Sequence, residues 1–306
     1  MSILSVQNVT KRYSNHTALD KVSIEVPPQS VFGLLGPNGA GKTSLIRIIN
    51  QITGPDEGEI LFSGKPLSPA HVERIGYLPE ERGLYRKMEV GEQALYLARL
   101  KGLSRSDALK KLKYWFEKFE ITTWWKKKVE ELSKGMQQKV QFIVTVLHEP
   151  DLLILDEPFT GFDPINTNLI RDELLELRKK GSTIILSTHR MESVEEMCSH
   201  IALINLAKKI LDGEVKKIRK EFRDQTYEVQ FAGNNIAFAN ALGSYLKLVD
   251  THQDDEYVTA KVQSLNNHSP NEILNQLLPH IEIHSFREVL PTMNEVFIKA
   301  VNGTAS

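Results

Sequence analysis

Residues 36–43 read GPNGAGKT, which satisfies the pattern G-x-x-x-x-G-K-[ST] at every fixed position. Gly36, Gly39 and Gly41 carry no Cβ, so the chain can turn tightly and aim successive N–H groups at one point. Backed by the N-terminus of a following helix, those groups form a cradle for phosphate oxygens. Lys42 adds a point charge for the β- and γ-phosphates, and the Thr43 hydroxyl can ligate Mg²⁺. A second concentration of chemistry lies in LLILDEP, residues 152–158, where a continuous apolar run ends in Asp156 and Glu157. This places both acids at the C-terminal tip of a buried strand, the edge where ligands of α/β sheets gather. Asp156 can hold Mg²⁺ there, directly or through water, and Glu157 can polarise an attacking water.

The elements that must position these groups are legible in the flanks. SVFGLLG, residues 30–36, is a short apolar run that reads as a buried strand. Beyond the loop, Leu45, Ile48, Ile49 and Ile52 recur at helical spacing. A glycine-rich turn that binds nothing would not need this strand–loop–helix context. Alternation of apolar and polar residues from Ile3 to Val26 predicts half-buried antiparallel strands, and GEILF with SGKP after it predicts another strand and turn. From about residue 90 to 146 the pattern is helical. Ser104 and Asp107 form a capping box, and Leu109, Leu112, Phe116 and Phe119 share a face expected to be buried. Buried strands are expected at 183–189 and 201–205, with a helix over 165–180 between the first of these and LLILDEP. The alternation argues for a parallel α/β sheet with right-handed crossovers.

Beyond residue 222 the composition shifts. Strands are expected at 226–231, 246–251, 257–263 and 281–288, and helices at 236–243, 270–278 and 291–301. The order βαββαβ resembles a ferredoxin-like unit. The expected division is therefore a nucleotide-binding domain over 1–222 and a small α+β accessory domain over 223–306.

Composition bounds the function. With 306 residues, 41% hydrophobic content and a net charge of −1, the chain is an ordinary two-domain globular protein without a large nucleic-acid footprint. The basic run at 126–128 is followed by Glu130 and Glu131 and reads as a solvated surface. One cysteine, Cys198, leaves no intrachain disulfide framework and fits a reducing compartment. No apolar run approaches a membrane span, and the N-terminus does not read as a signal peptide. A cytoplasmic protein is expected, touching a membrane only through a partner.

A phosphate loop alone leaves kinase, GTPase and ATPase open. The ordered set GPNGAGKT, YLPE, LSKGMQ, LLILDEP, GFD and STH, within residues 1 to about 220, resembles the ATP-binding cassette family, specifically the ATPase subunit of a transporter. The resemblance implies a P-loop ATPase domain with an antiparallel β subdomain and a helical subdomain, a separate permease as partner, and ATP with Mg²⁺ as ligands. It implies that two cassettes, identical or sister chains, close head to tail over two ATP molecules at the inner face of the cell membrane. Gly36, Pro37, Asn38, Gly39, Ala40, Gly41, Lys42, Thr43 and Ser44 would bind the triphosphate. Tyr13 would stack on adenine; a tyrosine packed in the core is the alternative. Ser133 and Gly135 would touch the γ-phosphate of the partner's ATP, Asp163 would lie in the loop linking the two sites, and His189 would contact the γ-phosphate. Glu157 and His189 would be the catalytic pair, with Thr43, Glu80 and Asp156 on the metal.

Two departures are informative. The signature reads LSKGM where the family pattern is LSGGQ, so Lys134 adds a charge and Met136 removes an amide. Glu80 replaces the usual glutamine; a carboxylate cannot donate to water but ligates Mg²⁺ better. The YLPEERGLY form and the ending PTMNEVFIKAV look like export-type cassettes compared with sodium or drug efflux systems. A cassette protein of ribosomes or DNA is the competing class. Such proteins usually carry two cassettes or long coiled coils, whereas this chain has one phosphate loop and no sustained heptads.

Overall fold

Alternating burial at the N-terminus folds β1 (Leu4–Tyr13) and β2 (His16–Val26) into an antiparallel pair, with Val6, Val9, Leu19, Val22 and Ile24 turned inward. The computed structural model describes residues 2–81, 83–254, 256–266 and 268–303; Arg82, inside the YLPEERGLY segment, lies outside them. By internal contacts the chain divides into two units. One runs to Val215 and takes in the tail from Ala300; the other is Lys216–Lys299.

In the first unit, β3 (Val31–Leu35) is buried at every residue and leads through the glycine loop into α1 (Lys42–Ile49). Next come β4 (Glu57–Phe62) and β5 (Lys65–Pro66). Ser63 and Gly64, both at positive φ, make the tight turn between them. These strands complete an antiparallel sheet of order β2-β1-β4-β5.

After β6 (Ile75–Leu78) the chain leaves the sheet for three helices: α2 (Val90–Leu100), α3 (Arg105–Lys118) and α4 (Lys134–Val146). It returns as β7 (Leu152–Asp156), α5 (Pro164–Lys179), β8 (Thr183–Ser187), α6 (Met191–Met197), β9 (His200–Asn205) and β10 (Lys208–Glu214). The second sheet has the order β10-β9-β3-β8-β7-β6, parallel except for β10 at one edge. Covered on both faces, β7 and β8 are buried throughout, which is why their sequences are continuously apolar. A single core cluster joins the two sheets and α1, from Leu4, Val22 and Phe62 to Ile46, Ile154 and Ile204.

Three local expectations are corrected. Helix α1 ends at Ile49; the Asn50 side chain bonds back to the Ile46 carbonyl and Gln51 takes φ 57°. The chain therefore leaves the helical path, and Ile52 is 62% exposed rather than on the buried face. In α3 the buried stripe is Ala108, Leu112, Trp115 and Phe116, continued by Phe119; Leu109 lies beside it, 38% exposed. Trp115 and Phe119 of this stripe meet Phe142 of α4, with Phe119 and Phe142 ring centroids 5.8 Å apart. The expected capping box of α3 is half made. Ser104 Oγ accepts from Asp107 N at 3.1 Å, while the Asp107 carboxylate accepts from the Ser104 hydroxyl at 2.6 Å instead of from its N–H.

From α7 (Val215–Glu221), whose first residue belongs to the first unit, the chain runs through β11 (Thr226–Ala232), α8 (Asn235–Leu242), β12 (Leu246–Gln253), β13 (Val258–Ser264), α9 (Pro270–Leu277) and β14 (Glu282–Val289) to α10 (Met293–Gly303), whose end from Ala300 is again counted with the first unit. The sheet is antiparallel, of order β12-β13-β11-β14, which is the ferredoxin-like topology. Tyr227, Val229 and Phe231 of β11 pack with Phe238, Ile273 and Leu277 in a core of its own.

Candidate active site

The loop between β3 and α1 works because two of its residues cannot carry side chains. Gly36 (φ 147°) and Gly41 (φ 116°) both lie in the left-handed region. A Cβ at Gly36 would stand 2.1 Å from the Ile204 carbonyl oxygen, and one at Gly41 2.2 Å from that of Ala18. Neither backbone neighbour can step aside cheaply, so the close approach of the loop to β9 and β2 depends on glycine. Gly41 is also the N-cap of α1 and has no side chain to offer the free N–H groups there.

A cleft of about 270 Å³ opens over this loop. Asn38, Gly39, Lys42, Thr43 and Ser44 form its floor, Glu80, Asp156, Glu157 and His189 one wall, and Tyr13, His16 and Ala18 the rest. The sheet explains the convergence. Asp156 pairs with Ser187 at the C-terminal ends of β7 and β8, and the Glu157 N–H extends that ladder by donating to the Ser187 carbonyl at 2.9 Å.

Lys42 is buried, and its Nζ donates to the carbonyls of Gly36 (2.7 Å) and Pro37 (3.1 Å). Burial lowers its pKa, against the opposing pull of Asp156, Glu157 and Glu80. Asp156 is likewise buried. Burial raises its pKa, and the neighbouring charges of Glu80 and Glu157 push the same way. Three carboxylates thus face one ammonium group.

Glu157 takes a left-handed backbone, φ 50°, and its side chain leans across to the end of β8. Oε1 accepts from the His189 N–H at 2.9 Å and from His189 Nδ1 at 2.6 Å; Oε2 accepts from the Thr188 hydroxyl at 3.2 Å. An ionised carboxylate only accepts, so the imidazole carries its proton on Nδ1 in this arrangement. Thr188 and His16 are cleft-region residues that the sequence reading did not single out. Thr188 stands beside His189 in STH and could have been found as a hydroxyl neighbouring a catalytic candidate.

Tyr13 is not in the core. It ends β1 at the cleft, 41% exposed, with Lys11 Nζ 5.4 Å from its ring centroid. Ser133, Gly135 and Asp163 do not line this cleft. Ser133 is the N-cap of α4, accepting from Met136 N at 3.3 Å. Asp163 is the N-cap of α5, accepting from Asn166 N at 2.9 Å, and these hydrogen bonds hold its carboxyl below the usual range. The Gln138 amide of α4 donates to the Thr160 carbonyl, which ties the signature helix to the segment after β7.

A family model of the ABC transporter matches residues 19–160, and one of the ATP-binding protein DrrA1-3-like C-terminal domain matches 213–301. The uncharacterized ABC transporter ATP-binding protein YhaQ of Bacillus subtilis is 40% identical over 299 residues, covering 98% of each chain. The chain belongs to the ABC transporter ATP-binding proteins. The Nod factor export ATP-binding protein I of Cupriavidus metallidurans is 36% identical, over 70% of this chain and 71% of its own. A solved ATP-binding subunit of an ABC transporter superposes with a TM-score of 0.68 at 30% identity, over 72% of this chain and 93% of that one. This cassette is an ATP-binding subunit and an ATPase. Among the described residues, no helix is long and apolar enough to cross a membrane.

Proposed function

We propose that this cassette hydrolyses ATP at a head-to-tail dimer interface and thereby powers a separate transmembrane permease, of an exporter. One observation carries the reading: the functional residues fall into two groups. Lys42, Asp156, Glu157 and His189 converge on the phosphate-loop cleft, whereas Ser133 and Gly135 stand outside it. A second cassette, the same chain or a sister, would bring its own Ser133 segment over the cleft. Gly135 supports this, because a Cβ there would meet only the Gly161 carbonyl, at 3.9 Å; packing within one chain does not demand glycine.

In the cleft, ATP would lay its phosphates along residues 36–44 and its adenine on the exposed ring of Tyr13. Lys42 would exchange the loop carbonyls for phosphate oxygens. Thr43, Asp156 and Glu80 would hold Mg²⁺: they offer only oxygen donors, and buried Asp156 among carboxylates favours a cation. No three His, Cys, Asp or Glu side chains among the described residues converge as a ready chelate, so the phosphates would complete the site. The bound ion would neutralise phosphate charge. Glu157 would orient the attacking water and take its proton, and His189 would turn to the γ-phosphate. The export assignment leans on the Nod factor export relative and the DrrA-like C-terminal match.

The test is Glu157→Gln. ATP affinity should stay close to wild type while turnover falls by about 10²- to 10⁴-fold, the usual contribution of a general base. Vigorous hydrolysis by this variant would overturn the assignment.

A further inference from the structure

Among the donors around Glu157, two belong to His189, the residue that the reading above sends to the γ-phosphate. The third is the Thr188 hydroxyl. Its side chain is 1% exposed, and its Oγ1 is committed twice, donating to Glu157 Oε2 at 3.2 Å and accepting from Arg190 N at 3.1 Å. A buried hydroxyl with both partners in place has a fixed orientation. When the His189 ring leaves Oε1 for phosphate, the carboxylate keeps Thr188 on Oε2 and the His189 N–H on Oε1. A carboxylate held at one oxygen resists rotation about its Cγ–Cδ bond, so the other oxygen keeps its direction.

We propose that Thr188 is a positioning residue for ATP hydrolysis: it anchors Oε2 of Glu157 so that Oε1, vacated by the His189 ring, is the oxygen presented to water. The proposal rests on the role given to Glu157 above. Thr188 touches neither nucleotide nor water in it and acts only through that carboxylate.

The experiment is a double-mutant cycle on the full chain, read by steady-state and single-turnover ATPase rates and by nucleotide binding. Thr188→Val keeps the shape and removes the hydroxyl. Its kcat should fall about 10-fold, part of the rate due to a well-aimed base, with KM and ATP affinity within about 2-fold of wild type. Thr188→Ser should restore most of the rate. In a Glu157→Gln background, Thr188→Val should add nothing, since there is no longer a carboxylate to aim. Thr188→Ala serves if the valine variant does not fold. Wild-type turnover in Thr188→Val, failure of serine to rescue, or the same fractional loss in both backgrounds would overturn the proposal; the last result would mark Thr188 as a support for Arg190 N alone. Rapid hydrolysis by Glu157→Gln itself would overturn the underlying reading as well, and is told apart because it appears before Thr188 is touched.

Discussion

At the scale of single residues the site is a balance of charges held by burial. Lys42 shares its cleft with Asp156, Glu157 and Glu80, whose charges oppose the effect of burial on its ammonium group. Its ammonium group is spent on two loop carbonyls, which are neutral acceptors, so an incoming phosphate offers it a better partner. Lys42→Met keeps much of the length and removes the charge. ATP affinity should weaken by about 10- to 100-fold, the value of one charge-assisted hydrogen bond to phosphate, while the fold remains intact. Isothermal titration with nucleotide, set beside thermal melting, would check both halves. The identities of Lys42, Thr43, Asp156 and Glu157 were legible because each is fixed by a contiguous motif. The clamp on Glu157 was not legible. Its partners Thr188 and His189 lie 31 and 32 residues away, and only the register of β7 against β8 brings them to the carboxylate.

At the scale of elements, burial is the main source of a pH dependence at the end of α4. His148 follows that helix, half-buried, with its Nε2 3.4 Å from the Ile75 carbonyl of β6 and its Nδ1 buried without a hydrogen-bond partner among the described residues. Burial, with the charges of Lys101 and then Lys111, pulls its pKa from 6.5 down to about 4, against the opposing hydrogen bond to the Ile75 carbonyl. The unfolded chain therefore binds this proton more readily than the folded one. Its contribution to stability is complete above about pH 6.5, declines as pH falls, and levels off below about 4. A shift of that size corresponds to roughly 3 kcal/mol. Denaturant melts of wild type and His148→Gln from pH 4 to 7 should differ in slope, with the variant flatter; parallel curves would contradict the assignment. The elements themselves were read from periodicity, and their errors have local causes. Positive φ at Gln51 exposed Ile52, and a one-residue shift of the α3 stripe exposed Leu109. The helix α6 and edge strand β10 passed unnoticed, because a seven-residue helix and a half-exposed edge carry little periodic signal.

At the scale of the whole molecule, the parallel sheet and the ferredoxin-like unit were both legible, since strand order follows from alternating elements and from the βαββαβ pattern. In the proposed function a second cassette supplies the other half of the site. The residues that match the family signature, Ser133 and Gly135, sit at the start of α4, away from the cleft that holds Lys42 and Glu157. In the proposed function ATP bridges two cassettes, stable while it is intact and broken by hydrolysis. Sedimentation of the Glu157→Gln variant with Mg²⁺ and ATP, alone and beside its permease, tests this most directly. The expected result is a species with two cassettes that returns to single chains when ATP is replaced by ADP. Single cassettes in every one of these conditions, at nucleotide concentrations that saturate the cleft, would contradict it.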